Sequence, residues 1–400
     1  MNIAVAQSGG PTCAINATLV GVFKEALKTP EIDAVFGSIN GIEGIINDEL
    51  LDLKLVIKTN EDMELLRQTP STVLGSCRYK LPPVNRGSET YEKILACFEK
   101  HRIEAFFYIG GNDSMDTVAK LSKYLNEVGS PIKVIGIPKT IDNDLPVTDH
   151  TPGFGSAAKY VAATVQEIIR DSSVYSIESV TIVEIMGRHA GWLTASTCVL
   201  RANDELAPHL IYLPECDFSA ESFLEDVRAM QAKYKAVIVV VSEGVRLPEE
   251  SRKSVVVDNF GHEYLSGIGK TLEQLIKDNI GCKVRSIELN VMQRCSSHIC
   301  SKTDIDESEL IGSQGVRAAL SGESGKMVCY KRLSDVPYVI TIDSVDADEV
   351  ANKEKFFPKE WISASRNDVS PEAVKYFLPL IQGEVKIAMK NGMPVHFKLK

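Results

Sequence analysis

Seven consecutive residues, Pro138-Lys139-Thr140-Ile141-Asp142-Asn143-Asp144, place a cation, a hydroxyl and two carboxylates within one short stretch. That set suits phosphoryl transfer. An attacking hydroxyl needs a carboxylate to take its proton, and the travelling phosphoryl needs positive charge and hydrogen-bond donors on its oxygens. A solvated turn capped by Asp and Asn is the other use of the same residues.

Four further clusters carry polar or glycine-rich chemistry: Ser8-Gly9-Gly10, Gly110-Gly111-Asn112-Asp113-Ser114, Met186-Gly187-Arg188 and Ser242-Glu243-Gly244. In the first two, glycine lets backbone N–H groups approach an anion, and a following helix N-terminus adds a favourable dipole. Neither is a P-loop, because no Gly-Lys-Ser/Thr follows. One glycine after a strand is ordinary turn chemistry. Five clusters in order, mixing Gly with Asp, Lys, Arg and Glu, need a different cause.

Each cluster directly follows an apolar run that reads as a strand: Ile3–Gln7, Glu104–Ile109, Lys133–Ile137, Ser179–Ile185 and Ala236–Val241. Near-continuous Val/Ile runs are what a parallel sheet buried on both faces requires. Helical spacing follows. Ile15, Leu19, Val22 and Ala26 recur at 4, 3 and 4; Val118, Leu121, Leu125 and Val128 share a face; a third helix begins near Ser156 and a fourth near Trp192. Leu210–Leu213 reads as a further strand and Ser219–Tyr234 as a helix. The alternation predicts an α/β chain with two doubly wound parallel-sheet units, and ligands in such sheets bind in the crevice at the strand C-termini. Beyond about Tyr330 the pattern weakens, and Phe356–Ile362 and Pro371–Met389 read as a mixed helical tail.

Composition sets outer bounds. With 44% hydrophobic residues, the 400-residue chain can bury two or three domain-sized cores. Its 44 basic against 54 acidic side chains leave a formal net charge of −10, which argues against nucleic acid or another extended polyanion as partner. No apolar run reaches the ~18 residues of a membrane span. Met1 leads straight into a strand without a basic leader, and the nine cysteines form no paired zinc spacing, so idle thiols in a reducing cytoplasm are expected.

Over residues 1 to about 330 the chain resembles the phosphofructokinases, in their pyrophosphate-dependent branch. Ser8-Gly9-Gly10 with Asn16-Ala17 resembles the family's first glycine loop, and Leu74-Gly75-Ser76-Cys77-Arg78 its phosphate-binding arginine segment. Thr140-Ile141-Asp142-Asn143-Asp144 resembles the catalytic loop. Met186-Gly187-Arg188, Glu243-Gly244 and Gln293-Arg294 follow in the order of the sugar-binding series. The resemblance implies two sheet domains with the active site between them. It implies a donor domain over 1–153, joined again by 293–345, a sugar-phosphate domain over 154–292, and an extension of unassigned role over 346–400.

It further implies that Asp142 deprotonates the 1-hydroxyl of fructose 6-phosphate, with Lys139, Thr140 and Arg188 completing the catalytic set. Gly10, Arg78, Gly111, Asp113, Ser114 and Lys139 would hold and select the donor. Thr140, Asp142, Asp144, Met186, Gly187, Arg188, Glu243, Val291 and Arg294 would hold the sugar phosphate. Arg285 would reach the 6-phosphate of a neighbouring subunit in a homodimer or homotetramer with composite sites. Mg²⁺ is the implied cofactor.

Three positions depart from the ATP-using pattern. Asn112 stands where the family has a metal-linked carboxylate, so Mg²⁺ would rest mainly on substrate phosphates and water. Ser179 stands where many ATP users carry an arginine, and Val291 replaces a ring. Asp113 and Lys139 each replace a glycine. A carboxylate at Asp113 would oppose the α-phosphate of ATP by up to ~4 kcal/mol at ~4 Å, and Lys139 would serve the small, highly charged pyrophosphate. An ATP-dependent 6-phosphofructokinase and a non-catalytic regulatory subunit are the alternative readings.

Overall fold

The computed structural model describes residues 1–86, 88–247 and 267–399. Two sheets organise the chain. The first has seven strands in the order β11-β10-β5-β4-β1-β2-β3. These are β1 (Asn2–Gln7), β2 (Ala34–Ser38), β3 (Leu50–Asp52), β4 (Ile103–Gly110), β5 (Lys133–Pro138), β10 (Lys326–Asp335) and β11 (Tyr338–Asp346). The second has four, β7-β8-β6-β9: β6 (Ser179–Ile185), β7 (Leu210–Tyr212), β8 (Ala236–Ser242) and β9 (Lys283–Glu288).

Pairing follows burial. The inner strands β1, β4 and β5 run parallel, as do all four strands of the second sheet. Apart from the partly exposed edge strand β9, their apolar runs are buried on both faces, as in Val5, Phe106, Ile135, Val183 and Val239. Antiparallel strands occur at the edges of the first sheet, β3 on β2 and β11 on β10. Strand β10 pairs in parallel with β5, so the chain returns to the first sheet after completing the second.

All five sequence clusters emerge at C-terminal ends of β1, β4, β5, β6 and β8. The helix after β4 spans Asn112–Glu127. The helix expected near Ser156 spans Phe154–Ser173, two residues earlier, because the Asp304 carboxylate supplies its N-terminal cap from a distant helix, accepting from Gly153 N–H at 2.8 Å and Ser156 N–H at 3.0 Å. The helix beginning at Trp192 is a single turn, Trp192–Ser196, continued by tighter 3₁₀ turns to Asn203.

The region past Tyr330 differs most from expectation. Residues Lys326–Asp346 form a hairpin on the first sheet, and only Pro371–Phe377 is α-helical in the tail. Phe357, Ala373, Phe377 and Leu380 are buried with Trp192 and Leu193 in the core under the second sheet. Their apolar character comes from this packing, and no helical period announces it.

Candidate active site

A cleft of about 610 Å³ opens where the two sheets' strand ends meet. Ser8 and Gly10 line it from β1, Gly111 to Ser114 from β4, and Lys139 to Asp142 with Asp144 from β5. Met186, Arg188, Glu243 and Arg294 face them from the second sheet and the 3₁₀ turn Asn290–Arg294. Arg78 enters from the loop before residue 80.

Lys139 lies at the floor and is buried. Its backbone N–H donates to the Gly110 carbonyl at 2.9 Å, and its Nζ donates to the Gly10 carbonyl at 2.6 Å. One residue thus ties both glycine loops together, one through its backbone and the other through its side chain. Gly9, at φ +75°, leaves the space above this ammonium open: a Cβ there would lie 3.1 Å from Nζ. Burial lowers the Lys139 pKa to about 8, against the pull of Asp142.

Thr140 shapes the next turn. Its Oγ1 accepts from the Asp142 N–H at 3.1 Å and lies 3.4 Å from Asp142 Oδ2, to which the hydroxyl can donate. Asp142 and Asp144 keep part of their surface open to the cleft. Burial raises Asp142, with Arg294 and Lys139 opposing it. Burial, then the charge on Asp142, raises Asp144 to about 7. The two carboxyls therefore titrate as a pair.

On the sugar-side wall, Gly187 N–H donates to Glu243 Oε1 at 3.3 Å, and Ser242 Oγ donates to the Gly187 carbonyl at 2.6 Å. Burial raises Glu243 to about 7. The buried amide of Gln293 accepts from the Met186 N–H at 3.3 Å and so fixes the turn that carries Arg294.

Some residues are placed elsewhere or otherwise engaged. Arg285 lies on the edge strand β9, paired with Asp171 at 3.4 Å, and Val291 is 59% exposed; neither lines the cleft of its own chain. The Ser114 hydroxyl is bonded to Ser8. Asn112 uses both ends of its amide on the backbone of Asn352 and Lys353.

Lys80, Glu354 and Phe356 were not singled out from the sequence. Lys80 Nζ stands 3.0 Å from Asp113 Oδ1, and Glu354 and Phe356 line the cleft from the tail. Lys80 follows Arg78 by two residues, the one signal that could have found it. For the tail residues nothing in local sequence would have done so.

A cleft between two sheets with parallel cores, dense in both signs of charge and floored by a buried lysine, defines an α/β enzyme suited to phosphotransfer. The phosphofructokinase family model matches residues 2–306. The chain belongs to the phosphofructokinase family. It is 38% identical over 403 residues to the pyrophosphate–fructose 6-phosphate 1-phosphotransferase of Halomonas elongata, covering 100% of this chain and 96% of that protein. The enzyme of the same name from Xanthomonas campestris is 39% identical over 407 residues, with the same coverage. Among solved structures, the pyrophosphate-dependent phosphofructokinase of Marinobacter aquaeolei matches with a TM-score of 0.89 at 37% identity, covering 100% of this chain and 96% of that one.

Proposed function

We propose that this chain transfers a phosphoryl group from pyrophosphate to the 1-hydroxyl of fructose 6-phosphate, reversibly, giving fructose 1,6-bisphosphate and phosphate in glycolysis or gluconeogenesis. The observation that carries the donor reading is Lys139, a buried residue whose ammonium bonds the first glycine loop and whose backbone bonds the second, with Asp113 in the first turn of the helix beside it. Full-length likeness to enzymes named for this reaction supports it.

In this reading, Asp142 accepts the proton of the 1-hydroxyl while Thr140 fixes the carboxylate's direction. Lys139, Arg188 and Arg78 place positive charge around the transferring group, where it counts most in the transition state. Met186, Gly187, Glu243 and Arg294 hold the sugar. Residues 1–153 with 293–345 make the donor half, and 154–292 the sugar half.

Mg²⁺ fits the donor set. The Asn112 amide is committed to the backbone, and among the described residues no three carboxylate, His or Cys groups converge in the cleft. A cation that keeps its waters and takes one or two carboxylates with substrate phosphates suits such a site. Asp144, raised to about 7 and open to the cleft, is the carboxylate that would hold it. When bound, the ion would shield the donor's charge.

We place the enzyme in the cytoplasm, a reading supported by nine unpaired cysteines and by the lack, among the described residues, of any helix long and apolar enough to cross a membrane. We further propose a homodimer or homotetramer in which Arg285, half-exposed on β9, serves a neighbour's site. The decisive test is the initial rate with pyrophosphate against ATP at equal concentration, with fructose 6-phosphate and Mg²⁺. Preference for ATP would overturn the donor assignment.

A further inference from the structure

The loop that carries Asp142 and Asp144 runs from 139 to 153 without helix or strand. Something other than local structure must hold it. Asn143, between the two carboxylates, sits at φ +55°, a left-handed conformation that asparagine adopts more readily than other side-chain-bearing residues. Its side chain is buried, and both polar ends are taken from the C-terminal segment. Asn143 Nδ2 donates to the Tyr376 hydroxyl at 3.0 Å, and Asn143 Oδ1 accepts from Lys355 Nζ at 3.4 Å.

Lys355 does more than this. Its Nζ donates to the Thr148 carbonyl at 3.1 Å and the Asp149 carbonyl at 2.9 Å. Its backbone N–H donates to the Asp144 carbonyl at 2.7 Å. One residue therefore bonds the loop at four points between 143 and 149. The Tyr376 hydroxyl, already bonded to Asn143, also donates to the Asp149 carbonyl at 2.7 Å.

The same segment is fastened at both ends. Toward the donor side, Asn112 donates to the Lys353 carbonyl and accepts from the Asn352 N–H. That backbone pair demands one donor and one acceptor. A carboxylate would turn an oxygen onto the Lys353 carbonyl, so an amide is the group that fits. Toward the sugar side, Trp192 Nε1 donates to the Lys355 carbonyl at 3.0 Å, and the Phe357 N–H donates to Glu215 Oε1 at 2.8 Å.

We propose that residues 352–357 form a strap that is part of the active site, and that Lys355 is a positioning residue for the loop carrying Asp142 and Asp144. On the reading above, which this rests upon, a loop misplaced by about 1 Å loses on the order of a hundredfold in rate. The role also explains why Asn112 is an amide.

Lys355→Met keeps the length of the side chain and removes its donors. Its kcat should fall about ten- to a hundredfold, with KM for either substrate changed less than about threefold. A merely structural lesion would lower the folded fraction and leave kcat per folded molecule at the parent value. Hydrogen exchange on the unliganded protein should show faster exchange over 140–150, with β1 and β4 as in the parent. Tyr376→Phe should give the same pattern, more weakly, and serves if Lys355→Met does not fold. Wild-type protein that fails to use pyrophosphate would sink the donor reading alone, because the exchange measurement decides the strap without turnover. Unchanged exchange over 140–150 in both variants, or full kcat in Lys355→Met, overturns the proposal.

Discussion

Lys80 holds its ammonium 3.0 Å from the Asp113 carboxylate at the mouth of the donor side. The two side chains are 58% and 54% exposed, so the pair is hydrated and weak. Its consequence lies in what each charge does to a donor. On the proposed reading Asp113 would oppose the α-phosphate of ATP, yet half exposed and partly neutralised it cannot exert the full ~4 kcal/mol of a desolvated like-charge contact. A repulsion of about 1–2 kcal/mol, roughly tenfold in affinity, is the scale to expect.

Asp113→Gly should therefore raise kcat/KM for ATP about tenfold, rather than a thousandfold. Lys80→Met should act oppositely on the physiological donor, raising KM for pyrophosphate and leaving ATP no better. Donor-varied initial rates on the two variants check both. If Asp113→Gly gains no ATP activity, the carboxylate has no part in donor selection.

The pH profile follows from three groups, the buried Lys139 and the partly open Asp142 and Asp144. Lys139 is lowered to about 8 and must be charged to serve an anionic donor; activity that needs it is lost as pH rises through that value. The Asp142–Asp144 pair is raised, Asp144 to about 7, and must give up its protons to act; activity is lost as pH falls through that value. The profile of kcat/KM for the free enzyme should be a narrow bell centred between about 7 and 8. A flat profile from pH 6 to 9 would remove one of these groups from its role.

Much of this site is legible in the chain because its parts sit on consecutive units of sequence. Gly10, Asp113, Asp142, Arg188 and Glu243 each follow a strand by a few residues, and a parallel sheet must bring its strand ends to one edge. Lys80 escaped because a lysine in an irregular loop has no period to mark it. Lys355 escaped for a stronger reason. Its partners Asn143 and Asp149 are more than 200 residues away, and nothing local distinguishes it from the neighbouring Lys353 or Lys359. The Lys326–Asp346 hairpin hid itself differently: Ile340, Thr341, Ile342 and Asp343 alternate for only four residues, and Tyr338-Val339 before them break the period.

Asp142→Asn keeps the shape of the loop's reacting group and removes its capacity to take a proton. Thr140 can still bond to the amide oxygen, so geometry should survive. The expected loss is on the order of 10²–10⁴ in kcat in both reaction directions, with KM for fructose 6-phosphate little changed. Retention of more than about a tenth of the parent rate would assign the proton to another group.

Arg285 gives the sharpest test of assembly, because it can be played against Asp142. Its side chain is 47% exposed on β9 and its pairing with Asp171, at 3.4 Å, is a surface contact that a phosphate would easily displace. If it completes a neighbour's site, Arg285→Ala should raise KM for fructose 6-phosphate far more than KM for pyrophosphate. The Asp142→Asn variant fails for a different reason, within its own cleft. Co-expressed, the two variants form hybrids in which one cleft combines an intact Asp142 with an intact Arg285, and the other carries both lesions. With random pairing of dimers, half the molecules are hybrids and half their sites work, so about a quarter of the parent activity should return. Assayed at fructose 6-phosphate well below the raised KM of Arg285→Ala, neither variant alone, nor the two mixed without subunit exchange, should reach that level. No recovery in verified hybrids would confine each site to a single chain and leave Arg285 a surface residue.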